Sequence, residues 1–190
     1  SMFVTFSIAM AETPVSLEIG SKLPNGSQVL KDVSGVDLTL EKIAQKNGLL
    51  VIFTCNTCPY VLAWQDRYAE ISKFCRDNNI GLVMVNSNEA RRTSSDSYES
   101  MVAHAKENGY DFYYALDGNH QLADAMGATK TPDVFLFNTD LKLVYKGAID
   151  DNHKDAAAVL EPYLNSAMSN MLKNLEINPN ETKSIGCSIK

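Results

Sequence analysis

The chain has 190 residues, 45% of them hydrophobic and 21% charged, enough apolar surface for one globular domain with a full core and short extensions. A formal charge of −6, with no block of like charge, argues against nucleic acid or an anionic membrane as partner. Four cysteines are too few for a disulfide scaffold.

Residues 3–11 form a short apolar run ending in Ala9-Met10-Ala11, similar to the end of a secretory signal peptide but without its basic leading segment. Residues 1–14 are read either as a signal-peptide remnant or as an N-terminal extension, so a periplasmic or secreted location stands level with a cytoplasmic one. The run is too short to span a bilayer, and no stable membrane insertion is expected. Residues 15–40, punctuated by Gly20, Pro24, Gly26 and Gly35, predict an irregular lead-in with a small hairpin, and residues 41–46 one or two helical turns. The continuous apolar run from Leu49 to Thr54 has the look of a strand buried on both faces, central in a sheet.

From Pro59 to Asn78, Val61, Trp64, Tyr68, Ile71 and Cys75 recur at alternating steps of three and four, which predicts a helix with Cys75 on its core stripe. Ile80–Val85 is a second buried strand, followed by a polar stretch to Asp96 and a helix over 97–108 that turns Tyr98, Met101, Val102 and Ala105 inward. This alternation of strand and helix implies parallel pairing with right-handed crossovers. Residues 112–116 predict a short strand, and Asn119 is the expected cap of a short helix ending at Met126. Residues 133–138 and 141–147 form an antiparallel hairpin about Asn138-Thr139-Asp140. Lys154 to Leu172 is amphipathic, with Ala157, Leu160, Leu164, Ala167, Met168 and Met171 inward and Pro162 either kinking the helix or marking its start. The division is thus 1–14, a domain over 15–172, and an aperiodic tail over 173–190.

The chemistry concentrates in Cys55-Asn56-Thr57-Cys58-Pro59, directly after the first central strand. Pro59 suits the first helical position, which places Cys58 at the N-cap, facing unsatisfied backbone N–H groups. The positive helix end favours a thiolate, the species that attacks disulfides and peroxides. Two other readings compete. Structural zinc wants four ligands, and no second Cys-x-x-Cys or paired histidine exists here, so no metal or cofactor is expected. An inert disulfide would close too small a loop to stabilise much.

The order of elements, with a Cys-x-x-Cys after the first central strand and Thr131-Pro132 before the hairpin, resembles the thioredoxin fold. More narrowly it is similar to the redoxin branch, the alkyl hydroperoxide reductase or thiol-specific antioxidant (AhpC/TSA) proteins and the thioredoxin-like membrane-tethered reductases. The resemblance spans residues 18–165. The segments Cys55 to Val61, Gly147 to Asn152 and Glu181 to Lys190 also resemble an uncharacterised bacterial redoxin-like group. The resemblance implies an α/β fold, a central mixed sheet flanked by helices, with a redoxin-type N-terminal extension and an irregular C-terminal tail. It further implies that Pro132 is cis and packs on the cysteines, and that Thr131 and Pro132 orient a substrate whose extended backbone pairs beside them.

The chain departs from that pattern in register. Counting from Phe53, Cys58 holds the place of the thioredoxin nucleophile, and Cys55 becomes the resolving partner. The peroxiredoxin motif laid on Cys58 puts Cys55 where a peroxide-holding threonine stands and Val51 where a proline stands, while the family's arginine is matched at best by Lys130. Ile52 replaces the buried acid of the thioredoxin central strand. Cys187 is either a second resolving cysteine or a packed or free thiol, and His153, on the loop with Asp150 and Asp151, either accepts a proton, binds a metal, or is simply solvated. The expectation is a thiol–disulfide oxidoreductase acting on protein or small-molecule disulfides and dithiols. The alternatives are a thiol peroxidase acting on peroxide and a copper-binding protein using Cys55, Cys58 and His153.

Overall fold

The computed structural model describes residues 15–190, so the reading of residues 1–14 lies outside the described residues. The strands are β1 (Leu30–Asp32), β2 (Asp37–Leu38), β3 (Leu49–Thr54), β4 (Gly81–Asn86), β5 (Tyr113–Leu116), β6 (Lys130–Thr131), β7 (Asp133–Phe137), β8 (Leu143–Gly147) and β9 (Cys187–Ser188). The helices are α1 (Leu40–Ile43), α2 (Pro59–Trp64), α3 (Tyr68–Asp77), α4 (Tyr98–Glu107), α5 (Gln121–Met126) and α6 (Tyr163–Leu172). One mixed sheet runs in the order β2-β1-β5-β4-β3-β7-β8, and β6 pairs with β9 beside it.

The three strands β3, β4 and β5 are parallel, whereas β7, β8, β1 and β2 join antiparallel at the two sides. All six residues of β3 are buried because both faces are covered. Leu50 and Ile52 face the layer of α2, α3, α4 and α6, and Leu49, Val51 and Phe53 face α1 and α5. The period of two along the strand therefore divides one apolar run between two cores. Gly48 enters β3 at φ +115°, where a Cβ would lie 2.1 Å from the Phe137 carbonyl oxygen, so only glycine lets β3 pair closely with β7.

Several local expectations are corrected. The helix from Pro59 breaks into α2 and α3 around a 3₁₀ turn, Gln65–Arg67, although the apolar stripe runs through it. Val102 is 36% exposed rather than inward, since α4 buries only Met101 and Ala105, and Tyr98 is half-buried with its hydroxyl donating to the Asp32 carbonyl. The short helix is capped by Asp117, not Asn119: its carboxylate accepts from the N–H groups of Leu122 and Ala123. Pro162 marks the true start of α6; Ala157 and Leu160 precede it and are exposed, Leu160 at 82%. The tail is irregular over most of its length, yet Cys187–Ser188 adds a strand to β6.

Candidate active site

The thiol site is assembled by the ends of β3 and β7. Pairing places Phe53 opposite Asp133, so the loop that follows β3 meets the peptide that precedes β7. That peptide, Thr131–Pro132, is cis. Cys58 has extended backbone (φ −69°, ψ 122°) and is the N-cap of α2, with Pro59 at the first helical position. Thr131 touches both sulfurs: its hydroxyl lies 3.5 Å from Cys55 Sγ, and its carbonyl oxygen lies 3.2 Å from Cys58 Sγ. Both cysteines are 3% exposed.

The two sulfurs are unlike. Cys58 is pushed well below the ordinary thiol range, first because Cys55 donates a hydrogen bond to it; burial opposes this, and Cys187 together with the backbone N–H groups of Val61 and Cys187 adds to the lowering. Cys55 is pushed up by holding that proton for Cys58 and by burial. Of the two thiols Cys58 is therefore the more acidic and Cys55 the one that keeps its proton longer. Because the thiolate is the reactive species, alkylation of Cys58 by iodoacetamide is expected to hold its plateau as pH falls from 8 and to be lost only as pH approaches the lowered thiol value of about 4. Thiolate is lost only as pH falls through that lowered value. A midpoint near the ordinary thiol value, read by peptide mass mapping, would contradict this arrangement.

Sequence reasoning missed the polar frame beneath the loop. Asp96, fully buried, accepts from Asn56 N–H at 2.9 Å, from Asn86 Nδ2 at 2.7 Å and from Asn88 Nδ2 at 3.3 Å. Asn56 Nδ2 donates to the Ser95 carbonyl at 2.7 Å, and the Tyr114 hydroxyl donates to Asn56 Oδ1 at 2.7 Å. Asn56 stands between the two cysteines, so this network sets the loop's shape. The available signal was the polar run Asn86–Asp96 directly behind a buried strand.

Of the remaining site candidates, Cys187 lies opposite Thr131 in the β6–β9 pair and is brought against Cys58. His153 packs on the rings of Tyr60 and Trp64, at centroid distances of 5.1 and 5.5 Å, which puts its loop beside α2. Among the described residues no group of three or more His, Cys, Asp or Glu is placed to hold a metal ion, so Cys55, Cys58 and His153 do not form the copper set. Asp150 is buried, accepting from Trp64 Nε1 at 2.7 Å and pairing with Arg67 at 3.3 Å. Cys75 is a core residue of α3, as its stripe implied. A cavity of about 670 Å³ lies between Cys75, Gly81 and Phe112, at the end of β4 away from the thiols. Among the described residues no helix is long and apolar enough to cross a membrane.

A thioredoxin-like fold carrying a helix-capping dithiol beside a cis-proline defines a redox protein. Residues 18–160 match the Redoxin family model, and the chain belongs to the redoxin family, a thioredoxin-like oxidoreductase by fold and lineage. An uncharacterized conserved protein from Geobacillus kaustophilus is 31% identical, with 91% of this chain and 92% of that one covered and a TM-score of 0.84. A hypothetical protein from Sinorhizobium meliloti 1021 is 32% identical, with 93% and 96% covered and a TM-score of 0.83. At 14% identity the fold alone is shared with a peroxidoxin of Mycobacterium tuberculosis, over 84% and 99% of the chains at a TM-score of 0.62. No curated protein matches the sequence.

Proposed function

We propose that the protein is a thiol–disulfide oxidoreductase in which Cys58 is the nucleophile and Cys55 the resolving thiol. The observation that supports this most is the placing of the pair: Cys58 is the N-cap of α2, Cys55 lies three residues upstream, and both sulfurs meet Thr131 beside the cis peptide. In the first step the Cys58 thiolate attacks one sulfur of a substrate disulfide; a Cys58–substrate disulfide forms and the other substrate sulfur leaves as thiolate. The negative charge on Cys58 is then gone, and with it the main cause that holds the proton on Cys55. Cys55 releases its proton to the departing thiolate or to solvent and attacks Cys58 Sγ. The second substrate thiolate leaves, and Cys55–Cys58 is oxidised until a separate dithiol reduces it. Thr131 and Pro132 would orient the substrate at the sulfurs, Thr131 through the contacts that hold both cysteines. Cys187, against Cys58, is a third thiol able to attack Cys58 Sγ in the mixed disulfide, with the substrate thiolate leaving.

The peroxide reading has the peroxidoxin likeness behind it, but only at the level of fold. Against it, Cys55 occupies the place of the motif's threonine, so the donor that would hold a peroxide oxygen is a thiol already committed to Cys58. Trp64 lies in the same core cluster as both cysteines and reports on them. Stopped-flow fluorescence of the reduced protein should show reaction with a small disulfide that outpaces reaction with hydrogen peroxide, the latter no faster than that of a free thiol. Peroxide outpacing the disulfide would replace this reading with the peroxidase.

A further inference from the structure

Cys58 caps a surface helix and yet is 3% exposed. What lies against it is the chain's own tail, through Cys187. Thr182 fixes the approach: its hydroxyl bonds the Tyr145 hydroxyl at 2.8 Å and accepts from Ala148 N–H at 2.9 Å. Ser184 then donates to the Asp133 carboxylate. Gly186 crosses Thr131 so closely that a Cβ there would sit 2.2 Å from the Thr131 carbonyl oxygen. Cys187 pairs antiparallel with Thr131, Ile189 N–H donates to the Thr129 carbonyl at 3.0 Å, and Lys190 closes the run against Asn88 and Ala90. Thr131, whose hydroxyl and carbonyl meet the two sulfurs, therefore has its outer backbone edge taken by the tail.

We infer that residues 186–190 are a displaceable strand that closes the dithiol site, and that the protein's partner is a polypeptide whose extended, cysteine-bearing segment replaces them along residues 129–131. The inference rests on the oxidoreductase reading above. A disulfide cannot reach a sulfur that the tail covers, so turnover requires the tail to move. Its strand is only two residues long, and such a pairing is easily exchanged. Lifting it leaves an open strand edge with unpaired backbone groups, which a polypeptide satisfies and a small disulfide does not. The tail itself shows the fitting chemistry: a thiol at Cys58, carried on an antiparallel strand with glycine before it.

The tether through Thr182 holds the strand at an effective concentration on the order of millimolar, so a free peptide at about 10 µM competes poorly until the tail is loosened. Two variants loosen it. Gly186→Val forces a branched side chain against the Thr131 carbonyl, and a chain ending at Lys183 removes the strand while keeping the Thr182 anchor. The probe is the peptide of residues 183–190 with its cysteine as the mixed disulfide with thionitrobenzoate; Cys58 attack joins it to the peptide sulfur and releases coloured thionitrobenzoate. Both variants should react about tenfold or more faster than the natural chain with this peptide. They should gain less with the same mixed disulfide of free cysteine, and the gain should vanish when the amide matching Ile189 is N-methylated. Equal gains with both probes would make the tail a mere cover, and no gain with the peptide would remove the strand altogether; either overturns the inference. If the natural chain and both variants, folded by circular dichroism, attack neither probe, it is the oxidoreductase reading that fails.

Discussion

Cys58→Ser should lose attack on a small disulfide by at least about a thousandfold, because a serine hydroxyl stays protonated where the thiol is ionised. Cys55→Ser should behave differently. Its hydroxyl still donates to the Cys58 sulfur, so the first step survives, but nothing resolves the product. The Cys58 mixed disulfide should then accumulate and be visible by intact mass spectrometry. Cys55→Ala removes the donor that contributes most to the lowering of Cys58, and should move the Cys58 alkylation midpoint upward. Were Cys58→Ser to form a mixed disulfide through Cys55 at the natural rate, the two roles would have to be exchanged. Cys187→Ser decides the remaining ambiguity: if the mixed disulfide of Cys55→Ser still resolves slowly, that resolution should stop when Cys187 is also replaced.

The second large effect is expected from Asp96, which makes no contact with either sulfur through its hydrogen bonds. Its carboxylate gathers the Asn56 N–H, Asn86 and Asn88 in a fully buried position, and Asn86 also donates to the Tyr114 hydroxyl at 2.9 Å. Asp96→Ala leaves the Asn56 N–H and Asn88 Nδ2 without this acceptor and takes one of the two acceptors of Asn86 Nδ2. Leaving a buried donor unpaired costs about 1–3 kcal/mol, so the variant should lose about 3–5 kcal/mol of stability. For a chain of this size that is a fall of roughly 10 °C in the unfolding midpoint, read by calorimetry. The loop between the cysteines should also lose its shape, raising the Cys58 alkylation midpoint at temperatures where the variant remains folded. A variant as stable as the natural chain, with an unmoved midpoint, would show that the loop holds itself.

Much of the fold was legible because its information is local. Leu49–Thr54 and Ile80–Val85 read as buried strands because strands covered on both faces need apolar side chains at every position, and these are the middle strands of the sheet. The stripe Val61, Trp64, Tyr68, Ile71 and Cys75 survives the 3₁₀ break because the turn keeps those residues facing the same core. Where local signals competed, the reading failed. Leu160 sits at a helical spacing but before Pro162, and a prolyl ring disfavours helix at the residue preceding it, so the helix begins only at Tyr163. Asn119 was the wrong cap because it adopts φ +54° in the turn, while Asp117 reaches over it to the same N–H groups.

At the site the boundary falls between the dithiol and its surroundings. The dithiol and its place at a helix start follow from short stretches of sequence, since spacing, capping and a Pro at the first helical turn act over a few residues, whereas the cis proline facing it was implied only by the resemblance. Which sulfur carries the charge depends on a proton held between Cys55 and Cys58, and the frame of Asp96, Asn86 and Tyr114 depends on strands β4 and β5 being neighbours. Above all, the aperiodic tail carries no pattern that says where it lands. Its docking is decided by backbone hydrogen bonds and by the missing side chain of Gly186, interactions that are indifferent to residue type along most of the strand. Local pattern alone was enough for a redoxin with a dithiol at a helix start; that Cys58 lies closed beneath residues 186–190 depended on residues more than fifty positions apart meeting at Thr131, a contact made by backbone pairing that leaves no pattern in the chain.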